Sequence, residues 1–380
     1  MIGAVSSRCV PNTQEGILRR LSKIAVVAVI ASLALTGCGN KADNKDKKGS
    51  SASADVCKGA KGDGPKVGLA YDVGGVGDRS FNDSATEGLK KAVSDLKATC
   101  ITATPASTSE SDDDRAERIR TLADQGYNPV IGVGFIYSPA IDKVADEFPN
   151  TSFAVIDGYD PTADKENKNV AYLGFAEQEG SFLVGAAAAM KSKAKHIGFV
   201  GGTHGDLIKK FEAGYVAGAK AVDPSIKIEI TYLTEDPNDG GTGFQNPAGG
   251  KVAAQGELDK GVDVIYHAAG KSGNGVFEAV TAAGDGKWAI GVDSDQYLTA
   301  SAAEQPHILT SMLKRVDVAT FNMIKSVADG QPLVSYQTYD LAHDGVSYST
   351  SGGFIDDIKT QIDDYAAKIK SGEIKVPDKP

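Results

Sequence analysis

The chain has 380 residues, of which 41% are hydrophobic and 24% are charged, and its formal net charge is −10. This composition is typical of a globular protein and excludes collagen-like, disordered and polytopic membrane classes for the bulk of the chain. A single hydrophobic core stops growing near ~250–300 residues, so we expect two lobes. The net negative charge argues against a nucleic-acid-binding protein, because such a surface needs clustered lysine and arginine.

The N-terminal segment has the charged, apolar, small order of a secretory signal. Three basic residues between positions 19 and 23 precede an apolar run at 24–35, which is too short to span a membrane. The run ends in Leu35-Thr36-Gly37-Cys38, which resembles the lipobox of bacterial lipoproteins, where cleavage precedes the cysteine and its sulfur receives a diacylglyceryl group. We therefore expect residues 1–37 to be a signal peptide and Cys38 to be lipidated.

The segments around this cleavage site differ in charge. Residues 1–18, ahead of the basic cluster, fit either an extended leader or an upstream misassigned start. Residues 1–37 carry a net charge of +3, so the exported chain without them carries −13. Residues 38–60 contain little to bury and predict a flexible linker between the lipid and the first lobe. We expect the protein to be anchored to the outer face of the bacterial cell membrane by this lipid alone.

Two further cysteines, Cys57 and Cys100, follow the lipidation site. A pair of this kind in an exported chain is more often bridged than free. Each precedes an apolar strand-like run, so a bridge between neighbouring strands would fasten the linker to the fold, and a free pair is the alternative. No Cys-x-x-Cys or Cys/His spacing indicates zinc, and we expect neither a metal nor a cofactor.

Beyond the linker, apolar strand-like runs alternate with helical patterns. The runs lie at 67–71, 130–133, 153–156, 197–200, 226–232, 262–266, 289–292 and 308–309. The first helical pattern is amphipathic, and Ser84 with Glu87 predicts a capping box at its start. Strict alternation predicts the α/β class, with parallel sheets covered by helices on both faces. Ligands of such sheets bind at the carboxyl ends of the strands.

Three of these runs end in an aspartate, at Asp72, Asp157 and Asp293. Any one of them is explained equally well as the cap of the following helix. Three together, without metal-type spacing or a cluster of basic partners, indicate acceptors for a polyhydroxylated ligand, because a carboxylate accepts two hydroxyl hydrogens at once.

Enzyme motifs in the sequence are incomplete. The glycine-rich segments at 72–78 and 270–275 lack the spacing of dinucleotide and phosphate loops. Ser311-Met312-Leu313-Lys314 matches the Ser-x-x-Lys motif of penicillin-binding enzymes, but the companion motifs Ser-Asp-Asn and Lys-Thr-Gly are missing. The five histidines are scattered along the chain. We therefore predict a binding protein and not an enzyme.

Longer motifs occur in a recognisable order. The first runs from Asp72 to Gly88 and contains Gly-Asp-Arg-Ser-Phe-Asn-Asp, and later blocks lie at 172–183, 268–276, 291–296 and 309–315. Together they resemble the basic membrane protein family, the PnrA-like nucleoside-binding lipoproteins of ABC transporters, from about residue 67 to the C-terminus. The resemblance implies a type I periplasmic-binding-protein-like fold, in which two doubly wound parallel-sheet lobes are joined by hinge strands and close over a ligand.

The resemblance also implies how the chain divides between the lobes. Residues 61–173 with about 314–337 would form the N-terminal lobe. Residues 174–313 with about 338–380 would form the C-terminal lobe.

Carried over position by position, the family motifs assign roles at the base end of a nucleoside. Phe81 would stack on one face of a purine, while Asp72 and Asn82 hydrogen-bond its edges. A second aromatic from the other lobe would cover the opposite face, with Phe244 as the candidate and Phe277 as its competitor.

The same motifs assign roles at the sugar end. Asp157 and Asp293 would accept hydrogen bonds from ribose hydroxyls, and Lys314 would offset the repulsion between them, although a surface lysine is the alternative interpretation. Gly270 would let the backbone approach the ligand closely.

The function implied is capture of nucleosides, with purine nucleosides foremost, by a monomeric lipoprotein that delivers them to the permease and ATPase subunits of an ABC importer. A sugar-binding receptor of the same fold, a nucleoside hydrolase and a ligand-sensing lipoprotein are the alternatives. The sequence favours none of adenosine, guanosine and inosine over the others.

Overall fold

The computed structural model describes residues 56–159 and 168–380. The expected signal peptide, the lipidation site at Cys38 and most of the linker lie outside these residues. Across the part of the chain that the structure describes, no helix combines the length and the apolar character needed to cross a bilayer.

The elements of the first half of the chain are, in order, β1 (Lys66–Ala70), α1 (Phe81–Asp95), β2 (Thr99–Ala103), α2 (Asp112–Asp124), β3 (Val130–Val133), α3 (Ser138–Ala145), β4 (Phe153–Ile156), β5 (Val170–Phe175) and α4 (Glu177–Lys191). Those that follow are β6 (His196–Thr203), α5 (Asp206–Val222), β7 (Lys227–Thr234), α6 (Gly240–Phe244), α7 (Pro247–Asp259), β8 (Val264–Ala268), α8 (Gly273–Ala283), β9 (Trp288–Asp293), β10 (Ile308–Lys314), α9 (Val316–Ala328), β11 (Ser335–Tyr339), β12 (Val346–Tyr348) and α10 (Lys359–Lys370).

The strands form two six-stranded sheets. The first has the order β11-β5-β4-β3-β1-β2 and is parallel throughout, and the second has the order β12-β10-β9-β8-β6-β7, with β12 antiparallel to β10. Every residue of β3, β4 and β5 is buried. Helices therefore cover both faces, which explains why these strands are continuous apolar runs in the sequence. The predicted fold class, two parallel-sheet α/β lobes, is confirmed.

Helix α1 begins at Phe81 and is capped from the loop before it. The carboxylate of Asp78 accepts hydrogen bonds from the backbone N–H groups of Ser80 at 2.9 Å and Asn82 at 2.8 Å. The predicted capping box is wrong, because Ser84 already lies inside the helix. Its hydroxyl accepts instead from the backbone N–H of Asp317, at 3.2 Å, near the start of α9.

The chain crosses between the two sheets three times, after β5, after β10 and before β12. Helix α4 packs on α5 and β10 of the second sheet, whereas α9 packs on α1 of the first, and α10 returns to α4. Strands β5, β10 and β11 end at Phe175, Lys314 and Tyr339, one or two residues beyond the expected lobe boundaries. These three crossings form the hinge region.

Cys57 and Cys100 form a disulfide, the pairing that the sequence predicts. Cys100 lies on β2, an edge strand of the first sheet, opposite Val67 of the neighbouring β1. Cys57 itself precedes β1. The disulfide thus attaches the start of the described chain to the edge of the first lobe.

Candidate functional site

A cavity of about 60 Å³ lies between the lobes, at the carboxyl ends of strands from both sheets. All eight residues that the sequence predicted as ligand contacts line it: Asp72, Phe81, Asn82 and Asp157 from the first lobe, and Phe244, Gly270, Asp293 and Lys314 from the second. Parallel strands place their carboxyl ends on the same edge of a sheet, and this topology brings together residues that are far apart in sequence.

Lys314 joins the two lobes at the centre of this cavity. Its ammonium nitrogen lies 2.6 Å from Asp157 Oδ2 and 3.3 Å from Glu177 Oε1, and its side chain is buried. Burial alone would lower the pKa of Lys314, but the charges of Asp157, Glu177 and Asp293 outweigh it and raise its pKa above the usual value. The ammonium therefore stays charged.

Phenylalanine rings surround the same ammonium. The nitrogen of Lys314 lies 5.2 Å from the ring centre of Phe81, 5.0 Å from that of Phe175 and 5.4 Å from that of Phe211. These distances are within the range of cation–π attraction, which strengthens when the cation is desolvated. Lys314 is consequently a fixed part of the cavity wall and not a mobile surface lysine.

The two aspartates beside Lys314 are buried acceptors. Burial raises the pKa of Asp157 to about 7, against the opposing charge of Lys314, and burial likewise raises the pKa of Asp293. Asp157 Oδ1 is buried without a hydrogen-bond partner among the described residues. Buried polar atoms are nearly always paired in native proteins, so this oxygen fits a donor supplied by a ligand.

Phe81 and Phe244 face the cavity from opposite lobes. Phe81 opens α1, and Phe244 closes the short helix α6, whose start is capped by Asp239 accepting from Thr242 N–H at 3.0 Å. The competitor Phe277 lies in the core of the second lobe, 1% exposed, with its ring 5.0 Å from that of His267. The structure therefore places Phe244, and not Phe277, at the cavity.

Asp72 is a further acceptor in the wall of the cavity. Burial raises its pKa to about 7. Asn82 Oδ1 accepts from the Asp72 N–H at 3.0 Å, and its Nδ2 donates to Asp78 Oδ2 at 3.0 Å. Because both ends of its amide are engaged, Asn82 holds the loop that presents Asp72. A Cβ at Gly134 (φ 105°) would lie 2.1 Å from Asp72 Oδ2, so only glycine leaves room for this carboxylate.

Gly270 lines the cavity, but a Cβ atom would not be excluded there by lack of space. A Cβ at this position would lie 3.5 Å from Phe244 Cβ, which is an ordinary contact. Its φ of +50° is in the left-handed region that other residues adopt rarely.

Sequence reasoning missed a set of contacts that fasten the two lobes together. Ser80 Oγ donates to Asp293 Oδ2 at 2.5 Å. Arg79 forms an ion pair with Glu304 at 3.0 Å and donates to Asn274 Oδ1 at 2.8 and 2.6 Å. We call Arg79, Asn274 and Glu304 the interlobe latch. The latch residues come from loops and from a helix start, where no periodic pattern marks them.

Sequence reasoning also missed Glu177, the first residue of α4. It is fully buried and lies between two lysines, 3.3 Å from Lys210 and 3.3 Å from Lys314. Among residues 56–159 and 168–380, no group of three or more histidine, cysteine, aspartate or glutamate side chains is arranged to hold a metal ion. Asp157 and Glu177 are instead paired with lysine side chains.

Residues 66–380 match the family Bmp, described as ABC transporter substrate-binding protein PnrA-like. This chain belongs to the Bmp family. The ABC transporter nucleoside-binding protein BmpA of Lactococcus lactis is 32% identical to it over 95% of this chain and 99% of its own length. The CD4+ T-cell-stimulating antigen of Listeria monocytogenes is 35% identical with the same coverage.

A solved structure supports the same assignment. The solute-binding protein of an ABC transporter system from Aeropyrum pernix has a TM-score of 0.71 and 27% identity, covering 82% of this chain and 94% of its own. The resemblance to the basic membrane protein family is thus confirmed. As a Bmp-family protein, the chain is the substrate-binding component of an ABC transporter and not an enzyme, and it works with permease and ATPase subunits.

Proposed function

We propose that this Bmp-family protein captures nucleosides, purine nucleosides above all, in the interlobe cavity and delivers them to its permease. The observation that carries the proposal is the pairing of two unlike ends in one cavity. Phe81 and Phe244 face it from opposite lobes, and the unpartnered Asp157 Oδ1 lies among the charged groups around Lys314. A flat apolar base joined to a polyhydroxylated sugar matches both ends.

The aromatic end suits a base. Stacking of a base on an aromatic side chain is worth ~1–3 kcal/mol and tolerates any base, because every base has a π-face. Asp72 stands at this end as a buried carboxylate whose pKa is raised to about 7. Purine edges carry N–H groups that can donate hydrogen bonds to such a carboxylate. Asp72 would therefore select among bases, which stacking alone does not do.

The charged end suits a ribose. Asp157 and Asp293 are acceptors for hydroxyl donors, and hydrogen bonds to charged groups are worth ~1.5–3 kcal/mol. The positive charge of Lys314 reduces the electrostatic repulsion between these two carboxylates. The name of the Lactococcus relative, a nucleoside-binding protein, supports the same substrate class.

Ligand contacts from both lobes explain delivery. A ligand that touches both walls favours the closed state over the open one by the difference in its affinity for the two. The permease then distinguishes loaded from empty protein by the closed arrangement of the lobes. A single chain supplies the whole cavity described here, so we propose that the monomer is the working form.

We propose that the protein acts as a lipoprotein, exported and held at the outer face of the cell membrane by a lipid on Cys38. The sequence Leu35-Thr36-Gly37-Cys38 after the apolar run supports this. Radiolabelled palmitate incorporation by the full chain, and its loss in Cys38→Ser, tests the anchor directly.

Calorimetric titration tests the substrate. The chain from residue 39 onward is denatured with its disulfide intact and refolded, which removes carried-over ligand, and is then titrated with guanosine, adenosine, inosine, cytidine and ribose. We expect tight binding of purine nucleosides and weak binding of ribose. Heat with ribose or another sugar but none with nucleosides would contradict the proposal and favour a sugar receptor. Slow release of free base on long incubation would instead indicate a hydrolase.

A further inference from the structure

A second cavity of about 480 Å³ adjoins the first, and it is the larger of the two. The two cavities share Phe135, Asp157 and Leu207 in their walls. Since Asp157 belongs to the sugar end of the site, the second cavity opens from that end and not from the base end. A ligand seated in the first cavity therefore points its sugar toward the second.

Both lobes contribute to the second cavity. Tyr159 and Tyr336 come from the first lobe, and Asp206, Lys210 and Asn238 come from the second. The cavity is consequently part of the same cleft, and it is formed when the lobes come together, as the first cavity is.

The charges that line the second cavity are mainly negative. Asp157, Glu177 and Asp206 contribute carboxylates, and Lys210 is the one cation among the described lining residues. Lys210 is already engaged, since its nitrogen lies 3.3 Å from Glu177 Oε2 and 3.5 Å from the carbonyl oxygen of Phe175. Asp157 and Glu177 are also paired, with Lys314 and Lys210. Asp206 is therefore the lining carboxylate that an added anion would meet without a paired lysine among the described contacts, while an added donor or cation would meet an acceptor there.

An unpartnered atom at the junction points to a ligand independently of this charge. Asp157 Oδ1 is buried and has no hydrogen-bond partner in the described part of the chain, although Oδ2 of the same carboxylate is paired with Lys314. The side chain of Asp157 is 5% exposed. A donor on the ligand, at the point where the two cavities meet, would satisfy this oxygen.

The tyrosines complete the chemistry of the second cavity. Tyr159 and Tyr336 are 46% and 51% exposed, so aromatic surface remains uncovered beside the carboxylates. Aromatic faces attract cations and cover apolar groups, but they offer nothing to a phosphate. The lining thus suits a neutral or cationic group with an apolar body.

We propose that the second cavity is a subsite for an uncharged or cationic substituent on the 5′ carbon of the nucleoside, and that it rejects a 5′ phosphate. This inference rests on the proposed nucleoside function. A phosphate brings a charge of about −1.5 to −2 at pH 7, which would lie beside the carboxylate of Asp206. The protein would then accept 5′-modified nucleosides while leaving nucleotides unbound.

Titration with a matched ligand series tests the subsite. The series is built on whichever purine nucleoside binds tightest, and contains the parent, its 5′-amino-5′-deoxy and 5′-methylthio derivatives, and its 5′-monophosphate. We expect the amine and the thioether to bind at least as tightly as the parent. We expect the monophosphate to bind about 100-fold more weakly, since two like charges near a partly buried group cost several kcal/mol and each 1.4 kcal/mol is tenfold.

A pair of variants separates charge from shape. Asp206→Asn removes one carboxylate from the second cavity and should reduce the ratio of monophosphate Kd to parent Kd by about tenfold. Asp285→Asn makes the same change at an exposed loop residue of the same lobe, outside both cavities, and should leave that ratio unchanged.

The outcomes are distinguishable from failure of the nucleoside function itself. Binding of the parent with a monophosphate Kd within tenfold of it would overturn the subsite alone. If the 5′-methylthio derivative binds as weakly as the monophosphate, the subsite is also overturned, because the cavity would then exclude 5′ substituents by their size and not by their charge. A ratio unmoved by Asp206→Asn would overturn the charge argument. If no purine nucleoside binds, the proposed function and this inference both fail.

Discussion

The hydroxyl of Ser80 in the first lobe donates a hydrogen bond to Asp293 Oδ2 in the second, over 2.5 Å. Asp293 is also one of the carboxylates assigned to the ligand's sugar. One oxygen of this side chain is therefore held by the opposite lobe. Together with the interlobe latch, this contact makes the closed arrangement partly self-supporting.

Breaking the latch should favour the open protein. Arg79→Ala removes the ion pair with Glu304 and the hydrogen bonds to Asn274, and hydrogen bonds to a charged group are worth ~1.5–3 kcal/mol. We expect nucleoside affinity to fall about tenfold. Small-angle X-ray scattering should give a larger radius of gyration for the ligand-free variant than for the wild type.

Arg120→Ala is the control for the latch variant. Arg120 pairs with Glu117 and Glu147 on the surface of the first lobe, so the same change of charge is made within one lobe. Equal effects of the two variants on affinity would refute the latch.

Asp157→Asn should weaken nucleoside binding about 10- to 100-fold, because a neutral amide replaces a carboxylate that accepts from the sugar. Asparagine is the informative choice, since Asp157 has φ 58° and asparagine tolerates this left-handed conformation. Calorimetry measures the loss, and circular dichroism reports whether the fold is kept. Unchanged affinity in a folded variant would remove Asp157 from the site.

Substitutions of Phe244 and Phe277, the two candidates for the second stacking position, should have different effects. Phe244→Leu removes a ring from the cavity and should weaken purine binding about 5- to 100-fold, since stacking is worth ~1–3 kcal/mol. Phe277→Leu changes a core residue and should lower Tm with little change in Kd. The reverse pattern would assign the stacking role to Phe277.

Nucleoside binding should weaken as the solution becomes acidic. Burial raises the pKa of Asp72 and of Asp157 to about 7 in the ligand-free protein. Ligand donors favour the charged carboxylates and so lower both pKa values in the complex. Affinity is then maximal above pH 7. It falls as the pH drops below 7, by about tenfold per pH unit for each proton taken up. Calorimetry at a series of pH values measures this, and affinity that rises on acidification would contradict it.

The same two carboxylates act in the opposite direction on the stability of the ligand-free protein. Because their folded pKa values are raised, they favour the fold below the unfolded pKa near 3.8, and this contribution is lost as the pH rises through about 7. Added nucleoside should therefore raise Tm more at pH 8 than at pH 5, which thermal denaturation with and without ligand will show.

Removing the disulfide should cost stability without affecting the cavity. Cys57 and Cys100 are 43 residues apart, and a loop of that length corresponds to about 4 kcal/mol in the chain-entropy model. The double variant Cys57→Ser with Cys100→Ser should lose most of this free energy of unfolding in urea while keeping its nucleoside Kd. A large change in Kd would show that the edge of the first sheet influences the cleft.

The strand-end residues of the site were predictable because they obey a topological rule. Asp72 and Asp157 follow buried parallel strands and Asp293 is the last residue of one, and parallel sheets bring such positions to one edge. The division into two lobes followed from length and alternation, and the family resemblance supplied Phe81, Phe244 and Lys314.

Residues whose role depends on the meeting of the lobes were not predictable in this way. Glu177 has the appearance of an ordinary acidic residue at a helix N-terminus, which stabilises the helix dipole, and only the hinge geometry buries it between two lysines. Asp78 caps α1 from a glycine-rich loop, which shows no periodic pattern, whereas the capping-box pattern of Ser84 and Glu87 lies inside the helix. Arg79 and Glu304 are 225 residues apart, and nothing local marks either as half of an ion pair.

The positions of Glu177 and Lys314 at the crossings between the lobes have a kinetic consequence. A residue on a pivot is displaced least when the bodies on either side rotate, so this charged pair stays assembled while the cleft is wide open. Phe81 and Phe244, on separate walls, meet only on closure. We therefore expect a ligand to contact the Glu177–Lys314 pair first and to be enclosed by the two phenylalanines last. Release to the permease would reverse this order, with Phe81 and Phe244 moving apart first.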